Sequence, residues 1–156
     1  MYGRRPLSRL QAGVYAAIAT VLMGVFLERM LHLLATAERE IVALTLANTE
    51  LALRTRVAAA PILGGPLPLD WRNRSPFGVA GVEAKNYAGE LAAVRAEALA
   101  RGAWAFDRES RELVYRPRYP LGLRTADGSG LLRFRLRTDD GTEVGLIASV
   151  PYRWDP

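Results

Sequence analysis

Residues 10–60 read LQAGVYAAIATVLMGVFLERMLHLLATAEREIVALTLANTELALRTRVAAA and contain no proline. No charged residue lies between Leu10 and Leu27, and a helix of about 18 residues rises roughly 27 Å, close to the thickness of the hydrocarbon core of a bilayer. Arg4, Arg5 and Arg9 precede this apolar run, whereas acidic and basic residues balance each other after it. By the positive-inside rule, this asymmetry predicts one transmembrane helix with a cytoplasmic N-terminus.

The helical pattern continues beyond the apolar run as an amphipathic second half. Pro61 and the Gly64-Gly65-Pro66 turn interrupt the pattern, so the sequence predicts a helix over about 13–59. Apolar residues recur there at spacings of three and four, and this stripe is predicted to lie against a folded domain. A coiled coil is the alternative, but the stripe covers too few heptads to favour it. The stripe consists of Met30, Leu34, Ala37, Ile41, Leu44, Ala47 and Leu51. The charged residues between its members are consistent with solvated faces; they are Glu38, Arg39, Glu50, Arg54 and Arg56.

The chain is therefore predicted to be an α+β protein of four segments. These are a basic leader (1–13), the transmembrane half of the helix (14–35), its amphipathic half (36–60) and an exported α+β domain (61–156). Within the domain, the helix-forming residues of 91–101 (LAAVRAEALAR) predict a short helix.

The last third of the chain has the alternation of half-buried strands. A hairpin is predicted from Trp104 to Tyr115, and Val144–Tyr152 is predicted as the fourth strand. Between them, Leu132, Phe134 and Leu136 alternate with Arg133, Arg135 and Arg137, which predicts a strand with one solvated arginine face. Four strands joined by hairpins predict an antiparallel sheet whose apolar face packs on the amphipathic half of the helix.

Composition argues against several kinds of site. The chain has no cysteine and one histidine, His32, which excludes a disulfide framework, a thiolate zinc site and a multi-histidine metal site. His32 lies at the predicted membrane boundary and is interpreted as an interfacial polar group. The formal net charge of +5 comes almost wholly from arginine without a basic run, so it does not favour nucleic acid as a partner. The sequence predicts no cofactor, no metal and no enzymatic activity.

Three features of the chain resemble the type IV pilin-like family, which includes the minor pilins and the pseudopilins of type II secretion. The basic leader ends at Gln11-Ala12-Gly13, where the family has a glycine cut by prepilin peptidase. Val14 to Arg56 is similar to the family's long helix. Residues 86–90, 102–107 and 112–115 are similar to stretches of secretion and MSHA-type pilin-like proteins. The chain departs from the family at Ile18, where pilins have a glutamate.

The resemblance implies a structural subunit of a pilus or a secretion filament, processed between Gly13 and Val14. Such a subunit resides in the bacterial inner membrane with a periplasmic C-terminal domain, or in the assembled filament. Its implied partners are other pilin or pseudopilin subunits, the inner-membrane assembly platform and prepilin peptidase. Small residues that permit close helix approach would make the lateral contacts; they are Ala16, Ala17, Ala19 and Gly24.

Three alternatives stay open. The chain could remain uncleaved, as a single-pass inner-membrane protein with a pilin-like domain. A filament subunit could bind DNA or another acidic polymer through Arg133, Arg135 and Arg137. Alternatively, the basic start, the apolar run and Ala35-Thr36-Ala37 resemble a secretory signal peptide, and cleavage there would release a soluble binding domain.

Overall fold

The fold is described by a computed structural model that covers residues 9–63, 70–139 and 143–155. One helix, α1 (Arg9–Leu63), contains 55 residues and extends about 83 Å at 1.5 Å per residue. The predicted long helix is thus confirmed, although it begins about four residues earlier and continues past Pro61. Residues 1–8 of the predicted leader and the turn at 64–68 lie outside the described residues.

The remaining elements form a small α+β domain, so the predicted class is confirmed. A short helix, α2 (Pro76–Ala80), follows α1, and single 3-10 turns occur at Trp71–Asn73 and Ala96–Ala98. The strands are β1 (Tyr87–Leu91), β2 (Ala103–Asp107), β3 (Glu112–Arg116), β4 (Leu123–Thr125), β5 (Leu132–Asp139), β6 (Glu143–Ala148) and β7 (Tyr152–Trp154).

The sheet differs from the predicted four antiparallel strands. A five-stranded mixed sheet has the order β1-β2-β3-β5-β6, in which β1 runs parallel to β2 and the other pairs are antiparallel. β4 and β7 form a separate antiparallel pair. The predicted strand over Val144–Tyr152 is wrong in its extent, because the chain leaves β6 after Ala148 and Pro151 precedes β7. Prolines lack the N–H that a continuous strand ladder requires.

The predicted short helix over 91–101 is also wrong. Leu91 ends strand β1, and its carbonyl accepts a hydrogen bond from the N–H of Arg108. The N–H of Val94 is bound by Asp107 Oδ2 at 3.0 Å. Because tertiary partners take these backbone groups, they are not available for the i to i−4 bonds of a helix. The segment instead packs Val94 and Leu99 on the outer face of the sheet.

The predicted hairpin and the alternation of β5 are both confirmed. β2 pairs with β3, and Trp104, Tyr115 and Phe134 lie in one core between the sheet and α1. The alternating neighbours, among them Ala105 and Val114, form the second core on the outer face. Since successive residues of a strand point to opposite faces, β2 and β3 each contribute to both cores.

The face of α1 that packs on the domain is not the predicted one. Ala35, Val42 and Leu53 are buried against the domain, at 0%, 3% and 0% exposure. The predicted stripe is exposed, with Ile41 at 62% and Leu44 at 61%. The domain therefore covers a second row of the helix, in which the polar side chain of Glu38 forms hydrogen bonds with the domain. The more apolar row remains exposed.

Candidate assembly surface

The first half of α1 makes up the apolar part of the candidate assembly surface. None of its residues from 9 to 34 is buried, and the first buried residue of the helix is Ala35. The helix is long and apolar enough to cross a membrane, with a mean hydropathy of 1.9 in its most apolar window, and none of that window is buried. By its length and composition, an apolar segment without core contacts is compatible with a membrane span, with packing among other helices or with a signal sequence.

The residues predicted to serve in processing and helix packing all lie on this exposed segment. Gly13 and Val14 lie within α1, so their peptide bond is in helical conformation. A Cβ placed on Gly13 or Gly24 would meet no atom within 4 Å, so neither glycine is required by a contact within the chain. The four predicted packing residues are likewise exposed; they are Ala16, Ala17, Ala19 and Gly24.

A buried carboxylate joins the second half of α1 to the domain. Glu38 is 8% exposed and accepts three hydrogen bonds. The Tyr115 hydroxyl (2.6 Å) and the backbone N–H of Arg118 (2.7 Å) donate to Oε1, and the backbone N–H of Tyr119 (2.7 Å) donates to Oε2. Burial, together with the hydrogen bond to Glu38 and its negative charge, raises the pKa of Tyr115. A buried carboxylate is tolerated when donors of this kind satisfy it.

Three arginines of α1 extend this junction along the helix. Arg39 donates to the carbonyl of Trp154 (3.2 Å), Arg54 to that of Val144 (2.9 Å) and Arg56 to that of Val79 (2.9 Å). These contacts join the helix to β7, β6 and α2, so the domain is held at both ends of the packed half.

Gly81 makes room for the last of these contacts. It ends α2 in the left-handed conformation (φ 69°), and a Cβ there would come within 3.0 Å of Arg56 Nη2. Both the backbone conformation and the close guanidinium therefore favour glycine.

A cavity of about 360 Å³ opens beside the Glu38 junction. Leu34 and Ile41 of the helix form one wall, and Lys85 and Arg118 lie on the opposite side among the domain residues that line it. The cavity thus combines an apolar helix face with two cations.

The predicted arginine face of β5 is only partly solvated. Arg133 has a side chain that is 18% exposed, and it contacts Glu112 (3.3 Å) and Asp107 (3.7 Å). Arg135 is 57% exposed and binds the other oxygen of Glu112 at 3.0 Å. Arg137 is exposed. The carboxylates of Glu112 and Asp107 pair with Arg133 and Arg135, which reduces the attraction of this row for a polyanion.

Asp107 is the centre of the polar contacts on this outer face. Burial acts to raise its pKa, but hydrogen bonds from the N–H groups of Val94, Ser110 and Glu109 outweigh burial and lower the pKa below the ordinary aspartate value. These contacts hold the 92–99 segment and the β2–β3 turn against the sheet. The Asp107 carboxylate therefore has a structural role.

Within the described parts of the chain, no group of three or more histidine, cysteine or acidic side chains is placed to hold a metal ion. The sequence Thr138-Asp139-Asp140-Gly141 predicts a turn, which lies largely outside the described residues, since only Thr138 and the backbone of Asp139 are covered. His32 is exposed on α1, next to the apolar segment.

Comparison with known proteins gives no match: no family model, no curated protein and no solved structure is significantly similar to the chain. The pilin-like resemblance therefore rests on the residue patterns of the sequence.

Sequence reasoning missed Glu38, which it placed on a solvated face of the helix. The sequence does indicate a second row of α1 at spacings of three and four, which contains small, apolar and polar residues. This row lies against the domain; it consists of Ala35, Glu38, Val42, Leu46, Thr49 and Leu53.

Proposed function

We propose that this protein is a non-enzymatic filament or envelope subunit of the minor pilin or pseudopilin kind, anchored and assembled through the first half of α1. The observation that carries the proposal is the abrupt change at Ala35. Residues 9–34 make no buried contact, whereas the next turns of the same helix are packed on a sheet domain. This division separates an assembly or membrane segment from a segment that carries the domain.

The domain would be displayed at a fixed angle to the assembly segment. Glu38 and the arginine contacts of α1 bind the helix to loops and strands over the length of its packed half. A rigid junction of this kind transmits the position of the helix to the domain, which is what a subunit stacked in a filament requires. The proposed location is the bacterial inner membrane, with the domain on the periplasmic side.

The absence of a carboxylate at Ile18 shapes the proposed role. An ionised group in lipid is costly unless it is paired, and in the family that position is thought to pair with the N-terminal amine of a neighbouring subunit. A subunit without it lacks that register. We therefore favour a tip or priming position over the shaft of a filament, or a permanent membrane anchor if residues 1–13 are retained.

The proposal is tested by determining the mature N-terminus of protein isolated from native membranes, by intact mass and peptide mapping. A chain beginning at Val14 supports processing by prepilin peptidase and the filament role. A chain that retains residues 1–13 supports the anchored form. A chain beginning at Glu38 would refute both, because the apolar segment would then be a discarded signal peptide.

A second test concerns the small residues of the apolar segment. Ala17→Glu introduces a charge on an exposed, lipid-compatible face, and we expect loss of co-assembly with partner subunits while the sheet domain stays folded. Ala17→Leu is the matched control, since it adds bulk without charge. If Ala17→Glu co-purifies with its partners as the unaltered protein does, assembly through this face is wrong.

A second candidate function is the binding of an acidic polymer through Arg133, Arg135 and Arg137. The exposed guanidinium of Arg135 favours it, whereas the pairing of Arg133 with two carboxylates opposes it. Binding to DNA that falls steeply with salt and is abolished by changing Arg135 and Arg137 would support this function.

A further inference from the structure

The exposed face of α1 carries a regular heptad pattern that becomes significant once the packed face is known. We call this row the heptad seam. Its members follow one another at spacings of 3, 4, 3, 4, 3, 4 and 3, which places them alternately at the a and d positions of a heptad repeat. All of them are exposed; they are Leu27, Met30, Leu34, Ala37, Ile41, Leu44, Asn48 and Leu51.

The sheet domain leaves the heptad seam accessible. Buried residues of the packed half occupy b and f positions, such as Val42 and Leu53, and one e position, Glu38. The b and f positions lie on the side of the helix away from a and d, whereas e borders the seam on one side. Ile41, Leu44 and Leu51 are each more than 60% exposed beyond the predicted membrane segment, where water would surround them. Large aliphatic side chains repeated on one exposed face indicate an interaction surface.

The pattern itself specifies the kind of partner. A repeat of 3.5 residues fits another helix with the same repeat, because each side chain then enters a hole formed by four residues of the facing helix. The stripe predicted from the sequence is too short to favour a coiled coil, but adding Leu27, with Asn48 in place of Ala47, gives four consecutive pairs of a and d positions. This is the length at which such a repeat indicates a coiled coil.

Asn48 points to a second copy of this chain. An asparagine at one a position specifies register and a two-stranded state, because its amide can donate to and accept from the same amide of a parallel partner. Any shift in register would place Asn48 against an aliphatic side chain and leave its polar atoms unpaired. Ile41 at a, with Leu44 and Leu51 at d, also favours two strands.

The first half of α1 continues the seam and sets its direction. The a and d positions preceding Leu27 are Met23, Thr20 and Ala16, and small residues there permit close approach of two helices. Two copies that enter one membrane from the same side are necessarily parallel. The membrane also confines both chains and raises their effective concentration.

The flanks of the seam bring no two charged residues together. In a parallel pair, a g residue of one helix lies beside the e residue of the following heptad of the other. Glu40 of one copy would then lie beside Thr45 of the other, and Leu33 beside Glu38. Glu40 is paired with Arg39 of its own helix at 3.1 Å. The flanks therefore allow the pairing, and the repeat together with Asn48 specifies it.

We propose that the protein forms a parallel two-stranded homodimer through the heptad seam, with the two sheet domains on the outer sides of the helix pair. Only the parallel direction rests on the membrane orientation of the proposed function. The pairing itself rests on the exposed repeat and on Asn48. A two-fold dimer brings each seam residue against its own counterpart, whereas the head-to-tail contacts of a filament join different residues.

Cysteine crosslinking of the full chain tests this symmetry, since the protein contains no cysteine of its own. Leu44→Cys lies at a d position and Ala43→Cys at the neighbouring c position, and both residues are exposed. On mild oxidation in native membranes, we expect at least about tenfold more covalent dimer for Leu44→Cys, because a disulfide requires Cα atoms within about 7 Å. Equal crosslinking of the two variants, or none for Leu44→Cys, would overturn the proposal.

Two further variants examine the oligomeric state of the full chain in detergent by analytical ultracentrifugation. Leu44→Lys is expected to give monomers while the tryptophan fluorescence of the folded domain is unchanged, because Leu44 makes no core contact with the domain. Asn48→Ile is expected to give a mixture of dimers and larger oligomers, because the asparagine no longer selects one register and one oligomeric state. A monomeric unaltered protein, or a purely dimeric Asn48→Ile variant, would contradict the assignment.

Failure of this proposal is distinguishable from failure of the filament role. A Val14 start without Leu44→Cys crosslinking refutes the dimer and leaves the filament role standing. Efficient crosslinking with residues 1–13 retained supports the dimer and removes the processed filament subunit.

Discussion

Replacing Glu38 by glutamine keeps the size of the side chain but reverses one of its hydrogen-bonding groups. The carboxylate accepts three donors, two at Oε1 and one at Oε2. The amide oxygen of glutamine can replace Oε1, where the Tyr115 hydroxyl and the Arg118 N–H converge. Its NH₂ group then faces the N–H of Tyr119, so two donors meet where a donor met an acceptor.

The magnitude follows from these contacts. Leaving a buried donor without an acceptor costs about 1–3 kcal/mol, and hydrogen bonds to a charged group contribute about 1.5–3 kcal/mol each. Glu38→Gln should therefore lower the free energy of unfolding by about 2–4 kcal/mol, and Glu38→Ala, which loses all three bonds, by about 3–5 kcal/mol. Tyr115→Phe removes one hydrogen bond to this charged group and should lower the free energy of unfolding by about 1.5–3 kcal/mol.

Urea unfolding of the full chain in detergent, followed by tryptophan fluorescence, measures these changes. Trp104 is a suitable reporter, since its ring lies 4.5 Å from that of Tyr115. A double-mutant cycle between Glu38→Gln and Tyr115→Phe should show a coupling energy of at least about 0.5 kcal/mol, as expected for groups in direct contact. A loss below about 0.5 kcal/mol for Glu38→Gln would refute the claim that this carboxylate holds the domain to the helix.

Alkaline pH provides an independent check on the same contact. Burial and Glu38 raise the pKa of Tyr115, so the folded protein retains this proton more strongly than the unfolded chain does. Stability should then fall as pH rises above about 10, the ordinary tyrosine value, and Glu38→Gln should weaken that fall. Tyr87 and Tyr152 also have raised pKa values and contribute to the loss of stability at alkaline pH. The Tyr115→Phe variant measures how much of that loss is due to Tyr115.

Two further predictions concern the faces of the helix and of the sheet. Leu53→Ala should lower the free energy of unfolding by about 2–5 kcal/mol, whereas Leu51→Ala should leave domain unfolding within about 0.5 kcal/mol and weaken only the dimer; equal effects in urea titrations would contradict the packed face described for α1. The lowered pKa of Asp107 contributes stability that is present above about pH 4 and is lost as pH falls below that value. Asp107→Asn should lower the free energy of unfolding by about 1–3 kcal/mol at pH 7 and reduce the loss of stability at acidic pH measured by thermal unfolding. If the loss of stability at acidic pH is the same as in the unaltered protein, the role given to the hydrogen bonds of Asp107 is wrong.

The sequence was a good guide to the features that depend on local pattern. The absence of proline between Leu10 and Ala60 predicted the long helix, and strict alternation predicted the hairpin and the buried face of β5. These features arise from the repeat of a helix or a strand, which can be read directly from the chain.

The features that the sequence did not reveal depend on tertiary partners. Periodicity shows that a helix has an apolar row, but it does not show which row the domain covers when two are present. Glu38 was predicted to be solvated because the donors that satisfy its carboxylate cannot be seen from the helix sequence. They are the backbone N–H groups of Arg118 and Tyr119, about 80 residues further along the chain. The parallel strand β1 was missed for a similar reason, since its ladder partner β2 determines it more than its own YAGEL sequence does.

The contact between Arg39 and Trp154 has a consequence for the kinetics of folding. It joins residues 115 positions apart, and Trp154 completes the core around Val42. The helix can form early because its bonds are local, whereas this contact closes a loop of 115 residues and pays the loop-closure entropy of that length. Since Trp154 follows the other residues of this core along the chain, its part of the core closes late during synthesis, and apolar surface around Val42 stays exposed to aggregation until it does.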